Sequence, residues 1–110
     1  MKSIKIRAEI KGKEQEFTLA FTNMTVRRLS RNGFKLENIV ETPLDGIPTL
    51  FAGAFLAFHP GTDRDDINKI WEDMPDKENL IKTLMAMYQE PINALLNEPK
   101  EKNATWEVVE

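Results

Sequence analysis

The 110-residue chain contains no cysteine and a single histidine. Without thiols there is no disulfide framework, no thiolate metal site and no cysteine nucleophile. One histidine leaves little material for metal or triad chemistry. Glycine (5) and proline (6) are sparse, which separates the chain from collagenous and low-complexity sequences. Long hydrophobic runs are missing as well. The longest, residues 50–58, has nine residues, against the ~20 that a bilayer-spanning helix needs. The first ten residues alternate charged and apolar types with no apolar h-region, so they do not read as a signal peptide. A cytoplasmic protein with no membrane contact is expected.

What is present is ordinary globular material, 41% hydrophobic and 30% charged, enough for one domain with one modest core. The net charge of −3 conceals a split. Residues 1–35 carry nine Lys/Arg against three Asp/Glu, and residues 36–110 carry six against fifteen. Opposite faces of one domain neutralise each other in the simplest case. The same split also suits a basic end and an acidic end meeting different partners, or copies stacking head to tail.

Ile4, Ile6, Ala8 and Ile10 recur at every second position, the period of a strand with one buried face. Phe17, Leu19 and Phe21 repeat it after a polar link at residues 11–15 that contains Gly12, so the spacing predicts an antiparallel hairpin. A lone hairpin is marginal in water, and its apolar face must pack on the helices downstream or on another copy. Thr22 or Asn23 caps a helix running to about Asn32, with Val26 and Leu29 inward and Gly33 just past its end. A short second helix over residues 36–40 turns Leu36, Ile39 and Val40 inward. Residues 41–48 read as a turn-rich linker. The apolar run 50–58 then reads as a central helix starting near Pro48, with Gly53 and the alanines allowing close approach, and stopping at His59-Pro60-Gly61.

Thr62 or Asp63 caps the next helix, whose stripe is Ile67, Ile70, Trp71 and Met74. After Pro75-Asp76 a longer helix carries Leu80, Ile81, Leu84, Met85, Tyr88, Ile92, Leu95 and Leu96, with Pro91 predicting a kink or a restart. The fold class is therefore α+β: an N-terminal antiparallel hairpin followed by about five helices. Residues 1–97 form the domain, and residues 98–110 a polar, flexible tail. Within that tail Trp106, Val108 and Val109 are an apolar patch that docks on the domain or serves as a short linear motif.

No group of polar residues assembles an acid/base pair, a nucleophile or a phosphate-binding loop. Asp63, Asp65 and Asp66 stand where a helix N-terminus favours negative charge. His59 is read as a helix-terminal residue whose ring meets the last carbonyls. Arg27, Arg28, Arg31 and Lys35 make a basic surface, but the acidic pI of about 5.3 and the absence of a second helix fit for recognition argue against nucleic acid. The expectation is a binding protein rather than an enzyme, with no catalytic residues, cofactor or metal.

The order of these elements resembles a known family. A hairpin precedes Met24-Thr25-Val26-Arg27-Arg28-Leu29-Ser30-Arg31-Asn32-Gly33-Phe34-Lys35-Leu36-Glu37-Asn38-Ile39. A Pro-containing linker, a small-residue apolar helix with Phe58-His59-Pro60, an acidic-capped helix and a long last helix through Met87-Tyr88 to Leu96 follow. Over residues 2–97 this is similar to the small tail assembly chaperones of long-tailed bacteriophages and prophages. The resemblance implies a non-enzymatic protein of the bacterial host cytoplasm that binds the tape-measure protein and is absent from the finished virion. It also implies a longer, frameshifted product, joined after Asn97, that recruits the tail tube protein; self-association into a homo-oligomer is expected separately, from the exposed edge of the hairpin beside the basic end. Trp71, Met85, Met87, Tyr88, Ile92 and Leu95 are the partner-binding candidates, methionines being suited to varied helical partners. The competing readings are a small DNA-binding or antitoxin-like regulator using Arg27, Arg28, Arg31 and Lys35, or a minor structural virion protein.

Overall fold

In the computed structural model, which describes residues 2–110, two strands precede five helices. Strand β1 spans Ser3–Ile10 and strand β2 Lys13–Ala20, paired antiparallel with Ile6 opposite Phe17 and Ile4 opposite Leu19. The link is shorter than the predicted residues 11–15. Lys11 (φ 53°) and Gly12 (φ 79°) turn the chain by themselves, because positive φ at both central residues matches the right-handed twist of the strands. Phe21 consequently lies just beyond β2, still buried. The outward face is charged. Arg7 lies 3.9 Å from Glu14 and 3.6 Å from Glu16, and Lys5 lies 3.8 Å from Glu16.

Helix α1 is Asn23–Arg31, opened by a capping box in which Thr22 and Thr25 satisfy each other's backbone N–H groups, and its Val26 and Leu29 are buried. Helix α2, Asn38–Glu41, is a single turn. Leu36 and Ile39 pack on the core, but Val40 is 80% exposed rather than inward. One turn directs only one side at the core, and Val40 lies about 100° further round than Ile39.

The expected linker is helical. Helix α3 runs Pro43–Gly53, with Pro43 in its first turn and Pro48 inside it. Pro48 removes one bond, to the carbonyl of Leu44, a residue that is 91% exposed, so water can serve that oxygen. Leu50 and Phe51 hold the helix in the core from the other side. Gly46 makes the α2–α3 contact, since a side chain there would meet the Asn38 backbone. At its far end α3 stops five residues short of Phe58, and residues 54–58 form tight turns. Tertiary hydrogen bonding decides this end: the Ala54 carbonyl accepts from the Ala20 N–H at 3.0 Å instead of continuing the helix.

Helix α4, Arg64–Asp73, is capped by Asp63, which accepts from the Asp65 N–H, and it buries Ile67 and Ile70. Helix α5, Lys77–Ala94, runs through Pro91 without a restart. The preceding turns, anchored by the buried Ile81, Leu84, Met87 and Tyr88, carry the helix past one missing hydrogen bond. Residues 97–110 have neither helix nor strand and are exposed throughout. Trp106, Val108 and Val109 are 76–87% exposed, so the patch does not dock on its own domain here.

The core has an aromatic spine. Trp71 meets Phe51 at 4.9 Å between ring centroids, Phe51 meets Phe55 at 5.2 Å, Phe55 meets Phe17 at 5.4 Å, and Phe17 meets His59 at 5.1 Å. Most of these are edge-on contacts of the kind aromatic quadrupoles favour, and they tie α4 through α3 to β2.

Candidate partner-binding surfaces

The side chains proposed for partner binding divide by position along α5. Met87 and Tyr88 are core, 1% and 3% exposed. Tyr88 stands edge-on between Phe21 and Phe34, at 5.4 and 5.2 Å, and burial raises its phenol pKa above the usual 10.0. These two do not present a contact surface, because the 3.6-residue period that puts them on one stripe with Leu84 directs that stripe at α3 and α1. Met85 is half-buried at the margin. Trp71 is also half-buried. Its ring stacks on Phe51, and the Lys77 ammonium lies 5.8 Å from its centroid while donating to the carbonyls of Met74 (2.6 Å) and Glu72 (3.0 Å). Trp71 therefore packs α4 on α3, with the first residue of α5 over its ring.

Beyond Tyr88 the same stripe runs out of core to cover. Ile92 is 38% exposed, and Leu95 and Leu96 are largely exposed. Four further exposed apolar side chains, Met24, Val40, Leu44 and Phe58, were not among the sequence candidates. Val40 fits an inward pattern, Leu44 falls in a segment that reads as linker and Phe58 ends a run that reads as a buried helix, so only Met24, outside the Val26/Leu29 stripe, carried a sequence signal.

Arg27, Arg28, Arg31 and Lys35 are all exposed. Among the described residues none has a carboxylate within 4.0 Å, whereas Lys5, Arg7, Lys11 and Lys82 do. The Lys35 backbone N–H is held by Asn38 Oδ1 at 2.7 Å. Arg28 lines two open clefts, one of about 570 Å³ shared with Asn32, Asn38, Thr49 and Arg64, the other of about 670 Å³ shared with Arg31, Met24 and Leu56. Such walls can hydrogen-bond and attract negative charge.

His59 has a structural task different from the expected one. Its Nε2 accepts the Thr18 N–H at 3.0 Å while its ring edge meets Phe17. Asp66, expected only at the helix start, also reaches Lys11 in the hairpin turn at 4.0 Å. Among the described residues no group of three or more acidic or histidine side chains converges as a metal-ligand set, and no helix is long and apolar enough to cross a membrane.

Fold and surfaces together define a small α+β domain that exposes a row of apolar side chains at the end of α5 and a group of basic side chains on and after α1. The chain belongs to the family described as Domain of unknown function (DUF5055), which it matches over residues 1–109. No curated protein and no solved structure matches it.

Proposed function

We propose that this protein is a non-enzymatic tail assembly chaperone of a long-tailed bacteriophage or prophage, acting in the host cytoplasm on the tape-measure protein. The observation that carries this reading is the row Ile92, Leu95 and Leu96, left uncovered at the end of the longest helix. An apolar helix face without a partner suits another apolar helix. A tape-measure protein is a long helical chain with many such faces, so many copies at modest affinity per site keep it soluble through avidity. The order of elements, a hairpin followed by five helices, supports the same reading. The exposed segment after Asn97 is where a longer product would carry the tail tube contact.

The test is co-expression with the tape-measure protein of the same phage. The expected result is a soluble complex with several copies of the chain, and finished particles that lack it by mass spectrometry. A tape-measure protein that stays insoluble, or particles that retain the chain, would overturn the proposal. Tight, steeply salt-dependent binding to duplex DNA would put a DNA-binding regulator using Arg27, Arg28, Arg31 and Lys35 in its place.

A further inference from the structure

The fold treats the two outer edges of its two-stranded sheet differently. On β2, the outward N–H groups of Thr18 and Ala20 are taken by His59 Nε2 and the Ala54 carbonyl, each at 3.0 Å. The register sets Thr18 opposite Lys5 and Ala20 opposite Ser3. Outward and inward groups alternate along an antiparallel pair, so Ser3, Lys5, Arg7 and Glu9 direct their N–H and C=O groups away from β2. Among the described residues no backbone partner reaches them. The apolar face beside this edge is also incompletely covered: Ile4, Ala8 and Ile10 are half-buried, whereas Phe17 and Leu19 on β2 are buried.

The chain also carries a strand-like segment with nothing to pair with. In residues 104–109, Ala104, Trp106 and Val108 alternate with Thr105, Glu107 and Val109, and Trp, Val and Thr fit a pleated, half-buried surface. All six residues are exposed and belong to no element. The segment and the residue after it carry Glu107 and Glu110, whereas the outward residues of the free edge are Ser3, Lys5, Arg7 and Glu9, two cations to one anion, with Lys5 and Arg7 also near Glu14 and Glu16 of β2.

We infer that residues 104–109 of a second copy of this chain add to the free edge of β1 as a third strand. Backbone hydrogen bonds supply the affinity and alternate side chains the register. Trp106 and Val108 cover the margin of Ile4 and Ala8, which are half-buried beside this edge, and Glu107 lies beside Lys5 and Arg7. Charged side chains ordinarily deter edge pairing. On β1, Lys5 and Arg7 repel another β1 and select an acidic strand. Each copy has one edge and one segment to give, so the contact is heterologous and produces rows or closed rings. It uses none of Ile92, Leu95 and Leu96, and therefore stands or falls apart from the tape-measure reading.

Sedimentation velocity of the full chain from about 5 to 500 μM tests it, a range that brackets the micromolar affinity of one added strand. Two variants accompany it. Arg7→Pro removes an outward N–H and no backbone bond within the hairpin, although it also deletes the exposed ion pairs of Arg7 with Glu14 and Glu16, and a chain ending at Asn103 lacks the segment. The full chain is expected to gain mass with concentration, and each variant alone to associate at least about tenfold more weakly. Mixed, the two variants should form a one-to-one dimer that grows no further, since one offers only an edge and the other only a segment. Circular dichroism checks that Arg7→Pro folds, and the shortened chain, with its hairpin untouched, carries the test without it. A full chain that stays monomeric throughout, or a shortened chain that associates as strongly as the full one, overturns the inference.

Discussion

The Thr18 backbone N–H donates to Nε2 of His59 across 41 positions of sequence, at 3.0 Å. This bond and the Ala20–Ala54 bond occupy the last half of the outer edge of β2, whereas no outward residue of β1 has such a partner among the described residues. His59→Phe keeps a ring against Phe17 but offers no acceptor, so the Thr18 N–H loses its partner at a part-buried position. A loss of about 1–3 kcal/mol is expected in urea unfolding. His59→Gln, which retains an acceptor, should lose less, and equal losses would show that the hydrogen bond is not what matters.

Alanine for glycine inside a helix ordinarily stabilises by about 1 kcal/mol. At Gly46 the sign should reverse, because the added methyl meets the backbone of Asn38, which cannot move aside. Gly46→Ala is expected to destabilise by about 2 kcal/mol. Gly53→Ala meets the terminal methyls of Leu29 instead, a side chain that can turn, and should cost less. Thermal unfolding of the two variants side by side decides the order.

Along α5 the cost of substitution should fall abruptly after Tyr88. Met87→Ala removes a side chain that is 1% exposed and should cost about 2–5 kcal/mol. Leu95→Ser and Leu96→Ser, at exposed positions, should change stability by no more than about 0.5 kcal/mol. Under the proposed function the same two changes reduce recovery of soluble tape-measure protein on co-expression. Loss of stability at Leu95 or Leu96 would mean they belong to the core.

Tyr88 gives the protein an alkaline limit. Burial raises its pKa above 10.0 in the folded state, so the folded chain holds the phenol proton at a pH where the unfolded chain releases it. Its contribution is complete below pH 10 and is lost as pH rises through the folded value. Stability measured by urea unfolding should fall above about pH 10, and the fall should be shallower in Tyr88→Phe, which keeps both ring contacts. An unchanged slope would count against a buried phenol.

Local pattern was enough for the elements whose own residues demand them. The alternation of Ile4, Ile6, Ala8 and Ile10, the Thr22 cap, the Asp63 cap and the stripe on α4 all stand as read. The errors cluster where the deciding partner is distant. Residues 43–48 look like linker because they hold two prolines and a glycine, yet Leu50 and Phe51 in the core and Gly46 against Asn38 keep them helical. Periodicity put Met85, Tyr88, Ile92 and Leu95 on one stripe, but it carries no information about where the core beneath that stripe ends, and only the structure separates the buried Tyr88 from the exposed Leu95.

By itself the sequence determined the α+β class, a hairpin followed by helices, the pairs of residues from which each cap comes, Thr22 or Asn23 and Thr62 or Asp63, and the absence of thiol chemistry, since each follows from residue type and short-range spacing. Only the tertiary structure decided which stretch of the α5 stripe is core and which is free, where α3 stops, and which sheet edge stays open. Those outcomes depend on which groups meet across the chain: Ala54 with Ala20, His59 with Thr18, and Tyr88 between Phe21 and Phe34. Hydrogen bonds and ring contacts between distant positions leave no periodic trace in the residues that make them.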